Sequence, residues 1–415
     1  MFALIRVFGV FAVVVFMIRK KMPLGISLIT GALLVAFLFG MGPFATGMAV
    51  LDICSQPATG EFVLLVAMVL ALSMVLEKSG QIDRLTESLR SFVTNRKLAA
   101  AILPSIVGFL PMPGGALFSA PMVKAATGDM VIDAHKRSEI NHWFRHVWEY
   151  SWPLYPGVIF TAGLLDIEIK ELLAMQFPLT IAAIAAGFLF VMRGVRIAPD
   201  PSPPSAVARH KAAGRFLFDM APFALIIALY LAAGVPLLWS LLAALVLTIV
   251  INRLRRKLGL LPLARGILTS THYFNFIIMA YGVKLFGDML GASGAIGQMS
   301  DFFSASGLPT LLIVTVLPFV IGFVAGITIV YCTATFPLLL ALPAVSANPV
   351  AYIILAFASG FMGTMLSPIH ACLVLTCQYF DGGLGRVMLR LAIPAACVLG
   401  VGFALWALYL RWLPF

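Results

Sequence analysis

The chain has 415 residues, of which 61% are apolar and 11% charged. Soluble domains run near roughly 45–50% apolar and 25% charged, so this composition excludes a water-soluble enzyme and marks an integral membrane protein. The net charge of +11 belongs to the loops of such a protein, where lysine and arginine collect on the cytoplasmic side, rather than to nucleic-acid binding.

A helix needs about 20 apolar residues to cross the ~30 Å hydrocarbon core. The first run, 2–18, has Arg6 near its start and Arg19-Lys20-Lys21 behind it. A signal peptide carries its charge in front, so this run is expected to remain as a span. Further spans are expected at 23–41, 61–76 (extendable to 78), 174–192, 216–233, 236–252, 270–290 and 386–410. The runs 140–165 and 349–380 are long enough but broken by proline, and 97–127 and 307–343 are interrupted in the middle. The stretch 194–215, with Pro199-Asp200-Pro201-Ser202-Pro203-Pro204, is polar and proline-rich and forms a linker. The five cysteines show no metal spacing, and four lie in apolar runs as small buried hydrophobes. Neither a metal nor a cofactor is expected, and no glycine-rich phosphate loop occurs.

The two halves align at an offset near 214. Met22-Pro23-Leu24 meets Val235-Pro236-Leu237, Ser79-Gly80 meets Ser293-Gly294, Gly108-Phe109 meets Gly322-Phe323, and Pro156 meets Pro368 within two residues of that register. Each half then holds two spans, a third ending at Ser-Gly, an amphipathic stretch suited to the interface, an interrupted segment, a proline-broken span and a last span. In the first interrupted segment, Pro111-Met112-Pro113-Gly114-Gly115 stops any helix begun near Lys97. An arm of 97–110 reaches only ~21 Å, too short to cross. Bare backbone at such depth needs protein or a watery cavity around it, so a re-entrant hairpin implies a site at its tip. The second segment breaks at Ala325-Gly326 between longer arms.

With five crossings per half, 23 of the 28 lysines and arginines fall on one side, as the positive-inside rule requires. The linker is then cytoplasmic and both termini face outward. Five is odd, so the second half lies inverted relative to the first, an arrangement of secondary transporters with interrupted helices at the midplane. The expected fold is an all-α polytopic membrane protein. Its two inverted repeats of five spans are 1–193, with hairpin 97–127, and 216–415, with hairpin 307–343, joined by 194–215.

Ionisable groups inside spans are functional candidates. Arg145 and Glu149 stand four apart and would pair on one helical face, holding a bent helix, or else meet an anion and take up a coupling proton. Lys284 and Asp288, also four apart, are expected to pair in a scaffold helix. His370 follows the break at Pro368 and is a candidate for substrate or proton binding, whereas His142 and His146 are expected at the interface. The breaks add helix N-termini for an anion and unwound carbonyls for a cation. Pro113, Gly114, Gly115 and Pro156 shape them, and Ser119, Thr328, Thr333, Thr364 and Ser367 supply hydroxyls. Gly114-Gly115 near Ser119 also suggests an oxyanion hole, but no triad motif accompanies it, and serine in membrane helices commonly bonds its own backbone.

Paired repeats, each with a hairpin followed by a proline-interrupted span, resemble the ion transporter superfamily, which includes the divalent anion/sodium symporters, citrate transporters, gluconate permeases and arsenite pumps. The string Phe109-Leu110-Pro111-Met112-Pro113-Gly114-Gly115-Ala116-Leu117-Phe118-Ser119-Ala120-Pro121 resembles more closely an uncharacterised family of prokaryotic integral membrane proteins placed in that superfamily. The resemblance implies a transport domain moving as an elevator against a scaffold, a prokaryotic inner-membrane location and a homodimer. The Ser-Asn-Thr motifs of the sodium-coupled dicarboxylate members are absent; the matching stretches include Trp152-Pro153-Leu154-Tyr155-Pro156 and Thr364-Met365-Leu366-Ser367-Pro368. The expected function is therefore secondary active transport of a small organic anion, with protons favoured over sodium and no enzymatic activity. The alternatives are an uncoupled channel and an intramembrane enzyme or assembly factor.

Overall fold

The computed structural model describes residues 2–20, 22–93, 95–111, 115–128, 132–195, 206–255, 259, 265–267 and 269–412. The secondary structure of these residues is helical, with no strand among them. Pro57–Lys78, Ile169–Val191, Leu237–Leu254 and Leu384–Trp412 are long and apolar enough to cross a membrane. The pair Arg209–Asp219 and Ala221–Ala232, bent by 51°, adds a fifth. Large apolar side chains, among them Phe37, Phe44, Leu189, Trp239 and Leu389, stay exposed. Unburied apolar surface on this scale is what lipid covers, and the chain is a multi-pass membrane protein.

Other apolar runs give shorter helices than their composition suggests. The run 23–41 yields only Leu24–Leu38, because Gly40 takes a left-handed φ of +82° and closes the end through Met41 N to Ala36 O, 2.9 Å. Within the expected linker, residues 196–205 lie outside the described set, and Ala206–Asp219 is helical. Its alanine-rich sequence regains helix propensity past the last proline.

The interrupted segments each form two helices packed on one another. Arg96–Val107, capped by Asn95 accepting from Leu98 N at 3.1 Å, is followed by Ala116–Ala126. Thr310–Ala325 and Thr328–Leu340 are joined through Gly326-Ile327, with Gly326 at φ +66°. The 12- and 16-residue first arms reach about 18 and 24 Å, short of the hydrocarbon thickness. All four arms contain a proline: Pro104, Pro121, Pro318 and Pro337.

The proline-broken runs divide into Ala134–Arg145 with Pro156–Leu165, and Pro349–Met365 with Ala371–Phe380. One expectation is corrected here. Arg145 and Glu149 do not share a helical face, because the helix ends at Arg145 and Glu149 N bonds only three residues back, to His146 O at 3.2 Å. No Arg145–Glu149 ion pair forms among the described residues. Lys284 and Asp288 do pair, Nζ to Oδ2 3.1 Å.

Several elements recur at nearly constant spacing. Pro57–Lys78 and Thr271–Ala292 both have 22 residues. Each is followed by a left-handed glycine, Gly80 or Gly294, and a 12-residue helix. The 10-residue helices Pro156–Leu165 and Ala371–Phe380 both end in a left-handed aspartate, Asp166 and Asp381.

Packing sorts the helices into two groups. In one, both hairpins surround both broken runs, and Thr310–Ala325 lies hard against Pro349–Met365. A β-carbon at Gly322 would strike the Gly360 carbonyl, and one at Gly363 the Phe319 carbonyl, so small residues set this crossing. In the other group, Leu24–Leu38 crosses Thr271–Ala292 beside Pro57–Lys78 and Leu237–Leu254. There a β-carbon on Gly25 would stand 2.5 Å from Met279 N.

Candidate functional site

A cavity of about 640 Å³ lies between the two groups. Pro111 of the first hairpin and Ala325, Gly326, Ile327 and Thr328 of the second line it. The breaks contribute Arg145, His146, Glu149, Tyr155, Pro156 and Gly157 on one strand of the wall, and Ile369, His370 and Cys372 on another. Leu24, Asn275, Phe276 and Met279 face them from the second group, together with Arg19.

Three helices start at this cavity: Pro156–Leu165, Thr328–Leu340 and Ala371–Phe380. Each presents the positive end of its dipole. Arg145 adds a full charge while only 3% exposed; its Nη1 donates to His146 Nε2 at 3.1 Å and to Cys372 Sγ at 3.3 Å. Glu149 is the one acidic side chain lining the cavity among the described residues. Thr328 Oγ1 donates to its Oε2 at 3.0 Å, and its Oε1 lies 3.7 Å from His146 Nε2.

Around these sits a cluster of three histidines. His370 Nε2 is 3.2 Å from His146 Nε2, and His370 Nδ1 donates to the Gly326 carbonyl at 2.8 Å. His142 Nε2 meets Met365 O at 3.1 Å, and its ring is 4.7 Å from His146 and 5.3 Å from His370. His142 and His146 are 0% and 1% exposed, which corrects their expected place at the interface: the helix turns inward at its end. The three rings bring one nitrogen each within 4.8 Å, a spacing that a metal could bridge. Arg145, however, already donates into the His146 lone pair, and a cation there would face the guanidinium. The geometry is that of a hydrogen-bond chain.

The first hairpin is tied to the same break. Tyr155 Oη donates to Gly108 O at 2.5 Å and Trp152 Nε1 to Phe109 O at 3.0 Å. Phe109 stacks on Trp148 with ring centres 5.1 Å apart. Gly108 lets the Arg145 carbonyl approach where a β-carbon would collide with it.

The family model for "Protein of unknown function (DUF401)" matches residues 2–409. The chain belongs to this family. No curated protein matches it. Among solved structures it is similar to the Alcanivorax borkumensis YdaH transporter at 14% identity, over 88% of this chain and 90% of that chain, with a TM-score of 0.49.

In this member of the family the residues singled out from sequence divide by position. Arg145, Glu149, Pro156, Thr328 and His370 come together on the cavity. Pro113 and Gly114 lie outside the described residues, between Pro111 and Gly115, which precedes the helix Ala116–Ala126. Ser119, Thr333, Thr364 and Ser367 are buried away from the cavity wall. Ser119 Oγ donates to Ala116 O at 3.3 Å and Thr333 Oγ1 to Ile329 O at 2.9 Å. Thr364 Oγ1 bonds Gly360 O at 3.2 Å, and Ser367 Oγ accepts from Ile369 N at 3.3 Å. Cys372, His142 and His146 join the site without having been singled out. The i, i+4, i+7 stride of His142, His146 and Glu149 is the sequence signal for two of them.

Proposed function

We propose that this protein is a secondary active transporter of a small organic anion, driven by protons rather than sodium. The observation that carries the reading is the convergence of three helix N-termini and the buried Arg145 on one cavity between two helix groups. Each N-terminus acts as roughly half a positive charge, and together with the guanidinium they suit a carboxylate. Phe276, Met279 and Ile369 suit an apolar body behind that charge. Glu149 and His370 are available on the cavity to exchange a proton, beside His146, and the asparagine-bearing motifs of sodium-coupled relatives are missing from the sequence.

The transport domain in this proposal is the group with both hairpins, moving as an elevator past the group that holds Leu24–Leu38 and Thr271–Ala292. Its two halves, 1–193 and 216–415, are inverted repeats of the ion transporter superfamily. The recurrence of 22-, 12- and 10-residue helices at the same spacing supports this. The termini lie outside the inner membrane, the linker in the cytoplasm, and the protein is a homodimer.

A panel of mono- and dicarboxylates tested for thermal stabilisation of the purified protein checks the site. A ligand at a hundredfold excess over its Kd stabilises by about 2.7 kcal/mol. At least one carboxylate should raise the Tm of the wild type and leave Arg145→Gln unmoved. If no anion in the panel acts, or if the variant responds equally, the site is not an anion site.

A further inference from the structure

The hydrogen-bond partners around His370 restrict where protons can sit. Gly326 O can only accept, so His370 Nδ1, 2.8 Å away, carries a hydrogen. His146 Nδ1 faces the His142 carbonyl at 2.5 Å and is likewise an N–H. Arg145 Nη1 can only donate, so the His146 Nε2 that it meets at 3.1 Å is a lone pair. His370 Nε2 points at that lone pair from 3.2 Å, where a hydrogen on it can share the acceptor with Arg145 in a three-centre bond and its absence sets two lone pairs against each other. With that hydrogen in place both nitrogens of His370 are protonated and His146 is neutral.

From this accounting, and resting on the proposed transport function, we infer that His370 is the proton-binding site of this protein and that its proton fastens the tip of the second hairpin. As an imidazolium, His370 bridges Gly326 and His146. Without the Nε2 hydrogen, two lone pairs face each other at hydrogen-bond distance, and the ring is pushed off the Gly326 carbonyl. Glu149 is the counter-charge: it belongs to the same wall and reaches the same hairpin through Thr328. The other groups around the ring are accounted for. Arg145, His142, His146 and Tyr155 come from 134–156, Cys372 from its own helix, and Arg19 lines the far wall. The hairpin arms 310–340 contain Tyr331 and Cys332 but no charged residue. Arg145 and imidazolium against Glu149 leave one net positive charge, so the deprotonated site holds an anion less well. Proton and anion bind together, one charge for one.

Solid-state nitrogen NMR of the ¹⁵N-histidine-labelled protein in lipid, without substrate, reads the assignment directly. At neutral pH one buried histidine should be doubly protonated, and His370→Asn should remove that signal. Hydrogen exchange of the 322–330 backbone, corrected for intrinsic rates, reads the fastening. It should rise about tenfold between about pH 6 and pH 9 in the wild type and lose that dependence in His370→Asn, whose amide can still donate to Gly326. Neutral histidines alone, or an imidazolium signal that survives in His370→Asn, would overturn the assignment; pH-independent exchange in the wild type would overturn the fastening. Neither result touches the anion-stabilisation test, which stands or falls by itself.

Discussion

At the scale of single residues, a chain of directional bonds ties opposite halves of the sequence. Thr328 of the second hairpin donates to Glu149 of the first broken run, and His370 of the second run meets His146 of the first. Thr328→Val removes one donor from a buried carboxylate, a loss of about 1.5–3 kcal/mol for a bond to a charged group. Its Tm in detergent should fall accordingly, whereas Ser119→Ala, whose hydroxyl serves only carbonyls of its own turn, should be near neutral. The charged members of this cluster were legible in the sequence because burying charge in lipid is expensive. The hydroxyls were not so easily placed: a serine or threonine beside a break has its own i−4 carbonyl within reach, and Thr333 and Thr364 take that partner. Nor did sequence reveal that Arg145 and Glu149 make no direct ion pair, because the i+4 rule presupposes a helix that here has ended.

Among helices, glycine decides how closely elements approach. Gly360 faces the ring of Tyr331, with a β-carbon position inside van der Waals contact of Cδ2 and Cε2, and its own carbonyl abuts Gly322. Gly360→Leu should therefore lower stability by about 1–3 kcal/mol or more through overpacking, measured as Tm, while Gly9→Ala, with open space around it, should not. A second element-scale joint is electrostatic. Asp133 caps Ala134–Arg145 by accepting from Lys136 N at 2.7 Å and meets Arg390 Nη2 at 3.3 Å. Partial burial raises its carboxyl, but the Lys136 amide and the Arg390 guanidinium outweigh that and hold it below its ordinary 3.8. A depressed carboxylate stabilises above its unfolded value and loses that contribution as pH falls through the folded one. The difference in Tm between wild type and Asp133→Ala should thus be constant near neutrality and shrink below about pH 4. Prolines and glycines announced both hairpins and both breaks. The short helix Leu24–Leu38 and the helix Ala206–Asp219 depended on capping and propensity, which mean hydropathy does not register.

Across the whole molecule, the half-chains are stitched through a buried polar junction. Asp219, 2% exposed, receives Arg255 Nη1 at 2.7 Å, and its carbonyl accepts from Gln81 Nε2 at 2.7 Å. Asn252 Nδ2 donates to Gln81 Oε1, and Asn252 Oδ1 accepts from Arg84 Nη2, both at 2.6 Å. The composition announced a membrane protein, and the offset near 214 motivated the proposed repeats, but this junction brings together residues more than 130 positions apart and has no local signature. The central claim is that the cavity between the two helix groups carries an anion uphill at the expense of a proton gradient. Reconstituted vesicles with an alkaline interior, offered the carboxylate that stabilises the protein best, measure this most directly. The account predicts accumulation above the outside concentration that collapses with a protonophore and is absent in Arg145→Gln. Equilibration without accumulation under every imposed gradient would contradict it.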